Sequence, residues 1–584
     1  MTSEPQSHRC RLCKTIKFEH YLEKPIPQPI HLGVSFTVRS RARYGCPFCK
    51  LVVHVLDAYV SRSRTTHIGK VFLRNELSWK LAIEKSPYDL SKSVSYSNKY
   101  DLRSAAKQHH RAVYRFVVSA IDVIQGHETW KVNERDVGTI QYLAHKEKNP
   151  DDRQFYGRKV DANTINVPLM ESWLSTCVKW HTKLCNDDTC QKNHLARERP
   201  TEPLSDPTES RSPREDTQHH PCERDIRTVE NLPVNLRLID VKHRCIIKLS
   251  SGNVPEYVAL TYVWGKDEMV EQTGLQPVTL SRCEIRKDTT GLERTPLPKV
   301  LPQTIEDALT LTSQLGFRYL WVDALCIIQD SPWLVKSKDL TSMKLIYSSS
   351  SLTIAAAAGK HANHGIPGVS IPRAFHQYSQ LVDGLRLATM FPTFTELDGS
   401  SALLWNTRGW TFQEKLLSKR LLLFTDYQVY FKCSESIWSE EIHTTTTRLS
   451  KSLESRTAKY LWDPDRQRPK LMQATKNSIW FGLNPRLNVV DEWGYLGGFM
   501  DYAAAVKEFT SRSLTDPKDT LSAISGILET LEGAIGQFTL GLPDEHFLES
   551  LLWQPSIGSH VQRNKVAEWP TWTWASWKIS QGTC

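Results

Sequence analysis

Residues 257–263 read YVALTYV, a short run of aromatic, β-branched and aliphatic side chains that stops at Trp264-Gly265, the pattern of a buried strand. Downstream, Pro302 and the spacing Thr304-x-x-Asp307 predict a capped helix. Its inward positions are Ile305, Ala308, Leu309, Thr312 and Leu315, and Gly316 is its natural stop. Residues 319–328, YLWVDALCII, are apolar almost throughout, as expected of a central strand covered on both faces. A second helical stretch over Leu340–Tyr347 leads into Ser351–Ala358, SLTIAAAA, a third core strand. Strand, helix, strand, helix, strand predicts an α/β fold built on a parallel sheet with right-handed crossovers. Farther on, Leu421–Phe424 and Gln428–Phe431 flank Thr425-Asp426-Tyr427 as a hairpin.

Around this core the chain runs to 584 residues, enough for about three to five domain-sized units. Apolar residues make up 40% and charged residues 24%, so a packed core is expected and a low-complexity chain is excluded. The 18 tryptophans each need a large buried surface and a partner for the indole N–H. No run of about 18 apolar residues exists, which excludes a membrane-spanning helix. The polar start MTSEPQSHRCRLCK has no apolar signal region, so a soluble cytoplasmic protein is expected. The formal charge of +10 is uneven. Residues 1–195 hold 31 Lys+Arg against 19 Asp+Glu, and the rest is close to neutral. Those charges are scattered and form no Lys/Arg block; they read as a solvated face, and nucleic acid is not the expected partner.

Residues 197–225, RERPTEPLSDPTESRSPREDTQHHPCERD, hold five prolines and only Leu204 and Cys222 as apolar side chains. Such a segment cannot bury enough surface to offset its ordering entropy, and it predicts a disordered linker over 196–227. A basic region over 1–195 precedes it, with a helix from Cys49 to Val60 and strand-rich patterning over Ala112–Ile124. The α/β domain is expected over 228–440, followed by an α+β extension over 441–584.

Four constellations carry chemistry. Cys10-x2-Cys13 and Cys46-x2-Cys49 supply four thiols, either to a tetrahedral structural zinc or simply to the packing of a small subdomain. Thirteen cysteines without a secretory signal argue against a disulfide framework. Cys177, His181, Cys185 and Cys190, with His194 nearby, either share a helix face as ligands or form an ordinary packed helix with Trp173 and Leu174. Asp323, inside the apolar run, and Asp330, beyond it, are the acidic candidates. A carboxylate among apolar side chains needs a partner, and Arg408 is the natural one if Asp323 is structural. The carboxyl ends of parallel strands gather ligands, which places Trp264, Gly265, Cys326 and Asp330 near one edge. Residues 408–414, RGWTFQE, offer a guanidinium and a tryptophan to an anion or planar base, or a structural Arg408–Glu414 bridge.

These stretches resemble, in order, the motifs of the fungal heterokaryon-incompatibility (HET) domain: YVALTYVWG, LPQTIEDALTLTSQLGFRYLWVDALCIIQDS, MKLIYSSSSLTIAAAAG and RGWTFQEKLLSKRLLLFTDYQVYFKC, spanning Tyr257 to Cys433. The paired CxxC motifs, WLSTCVKWH, LPVNLRLIDV, SRSLTDPKDTLSAISGIL and WPTWTWASW resemble the flanks of the same proteins. The resemblance implies non-self recognition that triggers programmed cell death when incompatible fungal cells fuse. The implied partners are other incompatibility proteins or further copies of the chain. It also implies a core like that of Toll/interleukin-receptor (TIR) folds, some of which cleave NAD with a glutamate. On that reading the catalytic carboxylate is Asp330, Asp339 or Glu414, and Trp264, Gly265, Asp323, Arg408 and Trp410 bind ligand. Asp339 stands where the family usually has Glu, and reaches less far by one methylene. The chain stops seven residues after Trp577, whereas relatives often run on, so an incomplete last subdomain is expected. No Gly-rich phosphate loop is present, which counts against Rossmann or P-loop chemistry.

Overall fold

The computed structural model describes residues 9–62, 67–77, 114–125, 130–144, 156–180, 236–249, 254–265, 278–281, 284–287, 291, 293–332, 339–340, 342–398, 400–433, 436–443, 497–555, 559–564 and 569–581. The expected linker over 196–227 lies outside the described residues, as do His181, Cys185, Cys190 and His194.

The N-terminal layer begins with two short helices, α1 (Arg11–Thr15) and α2 (Phe18–Glu23), then strand β1 (Ile30–Val34) and helices α3 (Ser35–Arg43) and α4 (Pro47–Arg62). Strands β2 (His67–Leu77), β3 (Tyr114–Gln125) and β4 (Trp130–Tyr142) follow as an antiparallel meander. Helix α4 lies across this sheet and buries Leu51, Val52, Val55 and Leu56 against Val118, Val137 and Ile140. The apolar spacing at Cys49–Val60 and the β-rich pattern at Ala112–Ile124 thus mark real elements. Helix α5 (Val167–Trp180) then packs Trp173 against Phe431 of the second sheet.

The second sheet is built from β5 (Arg237–Asp240), β6 (Cys245–Lys248), β7 (Tyr257–Tyr262), β8 (Arg294–Pro296), β9 (Tyr319–Trp321) and β10 (Leu352–Ala356). Between them lie α6 (Gln303–Gln314), the single turn α7 (Asp323–Cys326) and α8 (Met343–Ser349). The chain then returns to the first sheet with the hairpin β11 (Ser379–Val382) and β12 (Leu385–Thr389), whose outer partner is β4. Helices α9 (Phe394–Asp398) and α10 (Gly409–Leu417) and strands β13 (Arg420–Phe424), β14 (Val429–Cys433) and β15 (Ile437–Ser439) complete the second sheet. Its order is β15-β14-β13-β10-β7-β9-β5-β6-β8. The four strands β13, β10, β7 and β9 pair in parallel, and every other pairing is antiparallel. The expected parallel sheet is therefore a mixed one. Its parallel centre reads as continuous apolar strands because both faces are covered.

A C-terminal layer of helices α11 (Gly497–Thr510) and α12 (Ser522–Ile535) packs on α10 through Phe412, Phe509, Ile524 and Ile527. Trp574 is buried there, its indole N–H shared between Tyr502 Oη at 3.1 Å and the Gly541 carbonyl at 3.2 Å. No helix among the described residues is long and apolar enough to cross a membrane.

Two local expectations change. Residues 319–328 are not one strand: β9 ends at Trp321, and Asp323 opens a helical turn. Apolarity alone does not separate the two; within the turn the Asp323 carboxylate accepts the N–H of Ala324 at 2.8 Å. Thr304 and Asp307 do not form a capping box, because α6 starts at Gln303 with Pro302 as its N-cap. Both side chains face the loop after β10. Thr304 accepts from the N–H of Gly365, and Asp307 from the N–H of Ile366. Gly316 does end α6, with φ +76° and a Schellman pair: Phe317 N–H to Thr312 O and Gly316 N–H to Ser313 O.

Candidate functional site

Strand β7 runs its carboxyl end toward Thr261, Tyr262 and Trp264, and α10 brings Glu414 against it from the sequence 153 residues later. Thr261 Oγ1 donates to Glu414 Oε2, and the buried Trp405 indole N–H donates to Thr261 Oγ1 at 2.8 Å. Tyr347, on α8, donates its hydroxyl to the Leu260 carbonyl at 3.0 Å and lies beside Glu414. One strand away, Asp323 follows β9. Its carboxylate accepts from the indole of half-buried Trp264 at 2.9 Å and from Ala324 N–H.

Two carboxyl groups are thus held close in a mostly apolar enclosure. Burial is the main force on both and opposes ionisation. Glu414 is pushed up to about 8 by desolvation and then by the charge of Asp323, against the pull of Thr261 and Arg408. Asp323 keeps a sliver of surface, yet desolvation of its carboxyl pushes it up to about 6, while Ala324 N–H, Trp264 and Arg408 pull it down. Near neutral pH such a pair holds one proton between two sites, with Glu414 the acid and Asp323 the carboxylate. Arg408, half-exposed at the N-cap of α10, supplies a positive field to both carboxyls.

Of the residues expected to act, the structure brings Trp264, Asp323, Arg408 and Glu414 together. Gly265 adjoins them with φ +104°, and a Cβ there would lie 3.0 Å from that of His361. Among the described residues no ion pair within 4 Å joins Arg408 to Asp323 or to Glu414, so neither expected bridge forms; Arg408 acts on both carboxyls through its field. Trp410 turns to the C-terminal layer, where its indole N–H reaches Asp519 at 3.3 Å. Asp330 is exposed on the loop beyond α7. Asp339 is half-buried with Arg237 of β5 as its charged neighbour, on the far side of β9 from β7, and burial raises its carboxyl. Cys326 is buried, and burial pushes its thiol up to about 12, which suits a small core residue. Sequence reading missed Thr261, Tyr347, Trp405 and His361. A threonine and a tyrosine inside apolar runs give no signal until the strands and helices are assembled.

Residues 257–414 match the family described as heterokaryon incompatibility protein (HET). The chain carries a HET domain. The first strand and the last residue of the matched segment meet in the Thr261–Glu414 hydrogen bond, so the HET match closes on the carboxyl pair. Neither the curated proteins nor the solved structures gave a match to the chain.

Apart from the HET domain, Cys10, Cys13, Cys46 and Cys49 bring their sulfurs within 4.8 Å of one another, with Cys10–Cys49 at 3.9 Å and Cys13–Cys49 at 3.7 Å. A tetrahedral ion bound at about 2.3 Å places its sulfurs roughly 3.8 Å apart, so the cluster could hold a metal ion. The 32 residues between the CxxC pairs form α2, β1 and α3, which fold back to bring the pairs together. Cys177, by contrast, is buried on α5 and accepts from Arg420 Nε at 3.2 Å, as a packed helix residue does.

Proposed function

We propose that the chain is an effector of heterokaryon incompatibility that acts in the cytoplasm. When incompatible fungal cells fuse, its HET domain triggers programmed cell death, mainly through contacts with other incompatibility proteins or with further copies of itself. The HET match over the segment that builds β7, β9, β10 and α10 carries this reading. Leu548 and Leu552, 76% and 80% exposed on the C-terminal layer, support the contact mechanism, since large apolar side chains at the surface favour a protein partner. The four-thiol cluster takes a structural zinc, because four thiolates leave no open position for chemistry.

The carboxyl pair favours a second reading, in which a TIR-like core cleaves a nucleotide such as NAD at its glycosidic bond. Water adds to the ribose carbon as the base leaves, and a carboxylate stabilises the oxocarbenium-like state between them. Asp323 offers the carboxylate that faces the oxocarbenium-like state and takes the proton the attacking water loses, while Glu414 stays protonated beside it. The nicotinamide leaves as a neutral molecule, and Arg408 attracts the anionic substrate. A metabolite profile after induced expression separates the two mechanisms. A nucleotide pool that falls before death supports cleavage; death with every nucleotide pool intact sinks it and leaves the contact mechanism. Expression that leaves the cells alive and growing defeats the effector role itself.

A further inference from the structure

The parallel strands lie in the spatial order β9-β7-β10-β13, while the chain visits β7, β9, β10 and β13 in turn. The path therefore reverses between β7 and β10, and such a reversal opens a crevice at the carboxyl ends of the two strands beside it, where open α/β sheets bind ligands. Trp264 and Gly265 leave β7 there; Lys360 and His361 follow β10. The two loops touch. Ala362 N–H donates to the Trp264 carbonyl at 3.1 Å, and Gly265 leaves room for His361 that a Cβ would fill.

From His361 the rim runs on toward β13. The rings of His361 and His364 are 6.1 Å apart, edge to face. His364 and Lys360 both act on the half-buried carboxyl of Asp426, in the turn after β13. Phe375 donates its N–H to the Asp426 carbonyl at 3.1 Å and stacks on Tyr427 at 4.4 Å and 9°. Phe375 remains 49% exposed, which leaves its outer ring face open. Among the described residues no carboxylate lies within 4 Å of the Lys360 ammonium, which is exposed.

We infer that this rim is a nucleotide subsite. The base stacks on the outer face of Phe375, ribose hydroxyls donate to Asp426, and phosphate lies between Lys360 and His364, so that the ligand runs toward Trp264 and Arg408. The order of chemistries along the rim sets the class: an aromatic face, then an acceptor, then a lysine ammonium with an imidazole beside it. A bare phosphate would leave Phe375 unused, and an apolar ligand would leave Lys360 and His364 unused. The inference rests on the nucleotide reading of the carboxyl pair and names where its substrate is held.

Calorimetric titration of the purified full chain with ADP tests it. Binding to the wild-type chain is expected. Phe375→Ala should weaken it about tenfold, in line with the loss of one base stack. Lys360→Ala should weaken ADP, leave adenosine unchanged and unfold like the wild type because its side chain is exposed. Phe375→Ala loses its stack on Tyr427 and should melt slightly lower while remaining folded at the temperature of the titration. No binding of ADP to the wild type, or equal binding to the wild type and Phe375→Ala, overturns the subsite. Binding that depends on Phe375 while nucleotide pools stay constant in cells keeps the subsite and defeats cleavage. Cleavage that persists unchanged in Phe375→Ala keeps the reading and defeats the subsite.

Discussion

Glu414 is 4% exposed, and the fold holds it in its protonated form. Its value is raised from 4.5 to about 8, so the stability it contributes is complete below about pH 4.5 and is lost as the pH rises through about 8. Asp323, raised from 3.8 to about 6, acts with the same sign over a lower window. The melting temperature of the wild type should therefore fall between about pH 4.5 and 8, and Glu414→Gln, which stays neutral, should flatten the upper part of that fall. Parallel profiles for the two proteins would place the proton elsewhere. How far the sequence foretold this pair is instructive. Asp323 stood out because a carboxylate among Trp321, Val322 and Leu325 is costly, and Glu414 because it closes a motif with Arg408. Their meeting was not legible, since it depends on a threonine hydroxyl in β7 and on an α10 register that no local pattern specifies.

Helix α10 is buried on two sides, and each side serves a different neighbour. Glu414 faces β7; Phe412, Gln413 and Lys415 face the C-terminal layer. Gln413 Oε1 accepts the Gly526 N–H of α12 at 2.9 Å, and a Cβ at Gly526 would come 2.7 Å from that of Lys344. Lys415 is wholly buried, with its ammonium 2.9 Å from Asp398 of α9 and 3.0 Å from Glu508 of α11. Lys415→Met should destabilise the protein by about 3–5 kcal/mol, because two carboxylates lose their shared cation. A denaturant midpoint unchanged from wild type would refute this. The thiol cluster works in a similar way at the other end of the chain, tying α1 to the start of α4. Purified protein should hold about one zinc per chain, lost in Cys46→Ser together with stability of the N-terminal layer. Metal-free protein that unfolds normally would refute the assignment. Elements were readable wherever burial made them uniform, as in β7, β10 and β13. They were misread where three strand residues and one helical turn share the same apolar run, as at 319–328.

At the scale of the molecule, the two sheets are bound by buried charge. Arg373 pairs with Glu440 at 2.8 Å, both nearly inaccessible, and the buried Glu441 accepts from Gln141 of β4, Gln428 and the N–H of Phe391. Hairpin β11–β12 belongs by sequence to the second sheet's region and by hydrogen bonding to the first: Leu387, Ala388 and Thr389 pair with Tyr142, Gln141 and Ile140. Val382 and Leu387 are buried in the N-terminal core. The expected boundary at residue 195 thus meets a layer whose last two strands come from beyond it. A 1–195 fragment should be insoluble, because β4 would lack its β12 partner; a stable, monomeric 1–195 fragment would refute this.

That borrowed hairpin sets a schedule. During synthesis β4 leaves the ribosome with one edge bare, and its partner β12 is completed only about 250 residues later. At about 5–20 residues per second the bare edge persists for roughly 12–50 s, long enough to recruit strands from neighbouring nascent chains. The N-terminal layer is first in sequence yet closes only after β10 of the second sheet has been made, so a chaperone that shields β4 on the ribosome should raise the yield of folded protein.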